Sequence, residues 1–126
     1  MPFKSIMIVD DSESDQFLTK HIIQKYDSNI EIFQTFDGQE ALDVLEKMEE
    51  QPSLILLDIN MPRVNGFEFL EKYSKRPDPA AVVSMLTSSL QGEDQKQSEQ
   101  YNCVKTFFLK PLDADDLKNI QEELGF

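Results

Sequence analysis

The stretch Leu54-Ile55-Leu56-Leu57-Asp58-Ile59-Asn60-Met61-Pro62 decides how the rest of this chain is read. Four consecutive apolar residues describe a strand buried on both faces, as the inner strands of a parallel sheet are. The run then ends in a carboxylate, Asp58, whose burial is costly unless a cation or hydrogen bonds compensate it. Pro62 and Gly66 bracket the loop beyond. A second run of the same kind lies upstream, where Ile6-Met7-Ile8-Val9 leads into Asp10-Asp11.

Outward from these two runs, short apolar segments alternate with longer amphipathic ones. Strands are expected over 5–10, 30–35, 54–58, 81–87 and 104–109, the second polar enough for a sheet edge. Between them, Leu18, Ile22 and Tyr26 recur every four residues, and Ala41, Leu42, Leu45 and Met48 share one helical face. Phe69, Leu70 and Tyr73 mark a third helix, and Leu117, Ile120 and Leu124 stripe the last. Strands separated by helices imply β-α-β units, hence an α/β fold with a parallel sheet. Right-handed crossovers then place helices on both faces. Ligands of such sheets sit beyond the carboxyl ends of the strands.

Length and composition bound what the chain does. Its 126 residues make one domain, 1–126, and the longest apolar runs, of four residues, exclude a membrane-spanning helix, which needs about twenty. The N-terminus has no basic region followed by a long apolar stretch, so no secretory signal is read. The single cysteine, Cys103, excludes an internal disulfide and a cysteine-based zinc site, and is read as a small hydrophobe. A cytoplasmic location is expected. With 24 acidic against 12 basic residues, a net of −12, the chain is repelled by nucleic acid and by anionic membrane surfaces.

Chemistry gathers at one rim. The first strand ends in Asp10-Asp11, the third in Asp58, the fourth in Thr87-Ser88-Ser89, and the fifth runs into Lys110-Pro111. Each alone has a plainer reading: Asp11 or Ser12 as a helix cap, Thr87-Ser88-Ser89 as a cap or turn. Together they suit phosphate chemistry. Three carboxylates that repel one another are relieved by Mg²⁺, which prefers hard oxygen ligands. Lys110 pairs with a phosphate, Thr87 donates a hydrogen bond to it, and Asp58 is placed to be the nucleophile, forming an aspartyl phosphate. His21 sits beside an apolar stripe and is read as a surface or packing residue.

Over essentially its whole length the sequence resembles the response-regulator receiver domains of two-component signalling. Ile8-Val9-Asp10-Asp11 resembles their acidic pair, and Leu56-Leu57-Asp58-Ile59-Asn60-Met61-Pro62 with Gly66 resembles their phosphoacceptor segment. Thr87 falls at their hydroxyl position and Phe108-Leu109-Lys110-Pro111-Leu112 at their lysine-proline signature. The resemblance implies a flavodoxin-like doubly wound sheet of five strands in the order 2-1-3-4-5. It implies Mg²⁺ held by Asp10, Asp11, Asp58 and the backbone carbonyl of Asn60, and a cis peptide before Pro111 that aims Lys110. It also implies phosphotransfer from a sensor histidine kinase or phosphotransfer protein to Asp58, and a downstream output protein as partner. The family's switching aromatic, often Tyr, corresponds to Phe107, which lacks the hydroxyl; Ser88 stands where a small residue is usual and bears on water access to the phosphate.

The chain is therefore expected to be a signalling switch rather than an enzyme, monomeric or weakly dimeric. Its output is expected from the face formed by the helix at 91–100, the fifth strand and the last helix. The segment 91–100, QGEDQKQSEQ, has no large apolar residue, leaving Leu90 and Tyr101 at its ends to anchor it. A helix held so weakly suits the moving part of a switch. An aspartate-nucleophile phosphatase would need a general acid two residues after Asp58, and Asn60 cannot supply a proton. The other alternative is a receiver-like module that signals by contact without phosphorylation, but such modules usually lack one of the chemical residues that this chain retains.

Overall fold

The structure is a computed structural model that describes residues 3–58, 66–75, 82–87, 96, 101, 104–109 and 112–124. Five strands, β1 (Ser5–Val9), β2 (Glu31–Thr35), β3 (Leu54–Leu57), β4 (Val82–Thr87) and β5 (Val104–Leu109), form one parallel sheet in the order β2-β1-β3-β4-β5. The described helices are α1 (Glu13–Tyr26), α2 (Gly38–Lys47), α3 (Gly66–Ser74) and α4 (Ala114–Leu124). The expected strand boundaries agree with these within one residue. This is the flavodoxin-like arrangement.

Alternation along the strands explains why β3, and β1 from Ile6 to Val9, are apolar at every position. Successive side chains point to opposite faces of a sheet. On one face Met7, Val9, Ile55, Leu57, Val83 and Met85 pack with Ala41 and Leu45 of α2 and with Phe69, Leu70 and Tyr73 of α3. On the other, Ile6, Ile8, Leu54 and Leu56 pack with Ile23 of α1 and with Leu117 and Ile120 of α4. β1 and β3 thus feed both cores at once. β2 lies at the edge, where Glu31 and Gln34 are exposed, as its polarity required.

Helix α1 turns a different face inward from the one its apolar spacing suggests. Its buried residues are Gln16, Thr19 and Ile23; Ile22 and Tyr26 are part-buried, whereas Leu18 is 49% and Phe17 69% exposed. A spacing of four residues overshoots the 3.6-residue turn, so the Leu18-Ile22-Tyr26 row starts in solvent and winds only gradually toward the contact face. The row 16-19-23 stays on it. His21 is exposed, its ring stacked on Phe17 with centroids 6.4 Å apart, consistent with a surface residue.

Helix ends carry local caps. Asp37 accepts from Glu40 N–H at 2.7 Å to start α2, and Asp113 and Asp116 accept from each other's backbone N–H at 2.9 and 3.1 Å to start α4. Tyr101 packs against the core between sheet, α2 and α3, and its hydroxyl donates to Glu71 at 3.2 Å. Of the segment 91–100 only Lys96 is described, helical and exposed; Leu90 and Cys103 lie outside the described residues.

Two predictions follow from this packing. Leu45→Ala, at a site with no exposure, is expected to cost about 2–5 kcal/mol, against about 0.5 kcal/mol or less for Leu18→Ala, measured by urea unfolding. Burial, with the carboxylates of Asp113 and Asp115 alongside, raises the Asp116 pKa above its ordinary value. The folded state then holds that proton more tightly than the unfolded state, so this group's contribution to stability falls as pH rises from the unfolded to the folded pKa. Asp116→Asn, which keeps an accepting oxygen, should gain stability relative to the parent across that rise and show no such gain below it; a gap that narrows with pH would refute this.

Candidate functional site

Strand register builds the site. Val9 pairs with Leu57 as the last matched residues of β1 and β3, so the next residues, Asp10 and Asp58, emerge side by side. The ladder continues one step further, with Asp58 N–H donating to Val9 carbonyl at 2.9 Å. On the other side Val9 pairs with Thr35, and Asp10 N–H donates to Thr35 carbonyl at 3.1 Å. Asp10 and Asp58 are 1% and 8% exposed, while Asp11 faces solvent. A carboxylate oxygen from each of the three lies within 4.8 Å of the others.

Local turns hold the acidic pair in place. Ser12 N–H donates to Asp10 Oδ1 at 3.0 Å, which fixes the Asp10 carboxylate. Ser12 is the N-cap of α1, its hydroxyl accepting from Asp15 N–H at 3.3 Å. Of the two candidate caps, Ser12 fills the role and Asp11 is left for other work.

Three like charges this close, two of them buried, are unfavourable unless a cation offsets them. The donor set is entirely hard oxygen, matching Mg²⁺ or Mn²⁺ rather than a thiolate- or imidazole-seeking metal. The exposed position of Asp11 leaves one side open to water or to a phosphate oxygen. The residues present fit a hard divalent cation.

The remaining expected residues divide by what is described. Thr87 ends β4 opposite Leu109 of β5, and Phe107 sits opposite Met85. A one-residue irregularity sets that register: Val83 pairs with Val104 but Ser84 with Thr106, leaving Lys105 as the extra residue. Asn60, Ser88, Lys110 and Pro111 lie outside the described residues. Two residues that sequence reasoning passed over also belong to this rim. Gln16, 1% exposed, donates from Nε2 to the carbonyls of Thr35 at 2.6 Å, Asp10 at 3.0 Å and Ile8 at 3.4 Å. The buried Thr35 hydroxyl donates to Ile8 carbonyl at 3.0 Å. The available signal was a pair of polar residues, Gln16 and Thr19, on the row shared with Ile23, legible only once the inward face of α1 is known.

Residues 6–122 match the response regulator receiver domain family. The chain belongs to this family. It is 32% identical over 126 residues to the polar-differentiation response regulator DivK of Brucella anthropi, covering 97% of either chain. The crystal structure of a two-component response regulator from Cytophaga hutchinsonii superposes with a TM-score of 0.87 at 30% identity, covering 98% of both chains. The manganese-bound form of response regulator Rcp1 superposes with a TM-score of 0.77 at 28% identity, covering 98% of this chain and 93% of that one. Receiver domains serve two-component signalling, generally as switches rather than enzymes, and meet histidine kinases or phosphotransfer proteins and output partners. They bind Mg²⁺ at an acidic pocket. Among the described residues, no helix of this receiver domain is long and apolar enough to cross a membrane.

The clustering has a measurable consequence without any ligand. Asp11→Asn removes one of three mutually repelling charges at an exposed position, so the metal-free protein is expected to melt about 2–4 °C higher, with the gain shrinking in high salt. A lower midpoint at every salt concentration would show that the three charges do not repel as the distances require.

Proposed function

We propose that this chain is a phosphoacceptor switch that takes a phosphoryl group on Asp58 from a histidine kinase or a phosphotransfer protein. The observation that carries the proposal is the convergence of Asp10, Asp11 and Asp58 within 4.8 Å at the carboxyl end of a parallel sheet. A divalent cation, Mg²⁺, held by Asp10, Asp11, Asp58 and the backbone carbonyl of Asn60, supplies charge neutralisation for phosphoryl oxygens. The manganese-bound state of Rcp1 supports such a cation for a protein of this family.

The residues divide the work. Asp58, at the centre, offers a carboxylate oxygen that forms a bond to phosphorus while the donor's P–N bond breaks; the electron pair stays on the imidazole nitrogen, which takes a proton from water. Lys110, presented by a cis peptide before Pro111, and Thr87 bind the phosphoryl oxygens. Ser88 governs water access to the product. Phosphorylation adds close to two negative charges in place of one and new acceptor oxygens. Thr87 and Phe107 carry that change to the face formed by the segment 91–100, β5 and α4, where an output protein reads it. The whole chain, 1–126, acts as one receiver domain in the cytoplasm, monomeric or weakly dimeric, without contact to nucleic acid or membrane.

Intact-protein mass after incubation with acetyl phosphate and Mg²⁺ tests the proposal. One added phosphoryl group is expected, absent in Asp58→Asn and absent without metal. No gain in the parent, together with no change in its amide spectrum on adding beryllofluoride and Mg²⁺, would overturn it.

A further inference from the structure

We infer that Gln16 is a positioning residue for the acidic pair, setting divalent-cation affinity by orienting the backbone that carries Asp10 and Asp11. The inference rests on the cation-site reading above and adds a residue to it from outside the expected ligand set.

Three polar atoms of Asp10 are each pinned by a different part of the chain. Its N–H donates to Thr35 carbonyl of β2, its Oδ1 accepts from Ser12 N–H at the N-cap of α1, and its carbonyl accepts from Gln16 Nε2 in the first turn of α1. The last contact matters most for Asp11. The Asp10 carbonyl and the Asp11 N–H belong to one rigid peptide plane, so holding that carbonyl fixes the direction in which the chain enters Asp11. Asp11 is exposed, so packing among the described residues does not hold it in place.

The same amide closes the gap between strands. Thr35 carbonyl accepts from both Asp10 N–H and Gln16 Nε2, and Ile8 carbonyl accepts from both Thr35 Oγ1 and, more distantly, Gln16 Nε2. The amide can face only one way, because a flip would set Oε1 against three carbonyl oxygens. That leaves Oε1 buried with no hydrogen-bond partner. An orphaned buried acceptor is unfavourable, and a residue placed there for packing alone would be Leu or Met. Its two N–H groups therefore serve the carbonyls at the site, and the cost at Oε1 is tolerated.

Isothermal titration with Mn²⁺ on the full chain, the Gln16→Met variant and the Asp11→Asn variant tests this, with metal-free melting points measured in parallel. Met fills the same volume but donates nothing. Expected is about a tenfold loss of Mn²⁺ affinity in Gln16→Met, the size typical when a residue supporting metal ligands is removed. Mn²⁺ affinity within twofold of the parent, with only the melting point lowered, would make Gln16 merely structural and overturn the inference. No Mn²⁺ binding by the parent would overturn it together with the cation-site reading, whereas equal binding by parent and Gln16→Met overturns it alone. A measurement on the unaltered protein guards against a variant that does not fold: in a Mg²⁺ titration the Gln16 side-chain amide resonances should shift with the same midpoint as the Asp11 backbone amide. Silent Gln16 resonances beside a moving Asp11 would also overturn it.

Discussion

The pairing of β1 with β3 places two carboxylates on neighbouring strands at a rim where neither is well hydrated. Val9 opposite Leu57 leaves Asp10 beside Asp58, and exposed Asp11 completes the group. Apolar burial drives that register, since sliding either strand by one residue would turn its alternating side chains to the wrong core. The hydrophobic effect thus assembles a cluster that electrostatics alone would disperse. Its tension is confined to one edge of the sheet and is open to solvent on the side of Asp11.

Around that cluster the structure changes character within two turns of helix. Near the middle of the sheet, α1 contributes Ile23 to an apolar core; near the rim it contributes Gln16 and Thr19. The change follows from where strands stop. Inside the sheet each carbonyl has a neighbour in the ladder, but at the ends of β1 and β2 the partners run out, and buried carbonyls must find other donors. Gln16 and the Thr35 hydroxyl are those donors. A polar face that looks misplaced on a helical wheel is the one that the strand ends require.

The edges of the sheet show a similar economy. β2 carries exposed polar residues at one edge, which discourages further strand pairing there. At the other, the irregularity around Lys105 resets the β4–β5 register so that Thr87 ends opposite Leu109, the residue just before Lys110. The register at the end of β4 is therefore set by a single backbone adjustment between Val83 and Ser84.

Fold class, strand positions, both apolar cores and the three carboxylates were legible in the chain itself. Four-residue apolar runs ending in Asp10 and Asp58 leave few alternatives to inner parallel strands with chemistry at their carboxyl ends, and the polarity of 30–35 marks an edge. Local pattern carries this information because alternation and helical period are properties of neighbours in sequence. The inward face of α1 was not legible in that way: Leu18 and Phe17 are exposed, and Gln16 and Thr19 are buried. Which face a helix buries near a sheet rim depends on carbonyls left unpaired by strands elsewhere in the chain. Only the tertiary structure decides where those carbonyls are, because hydrogen-bond demand at a strand end is set by register between segments and not by the residues of the helix that meets it.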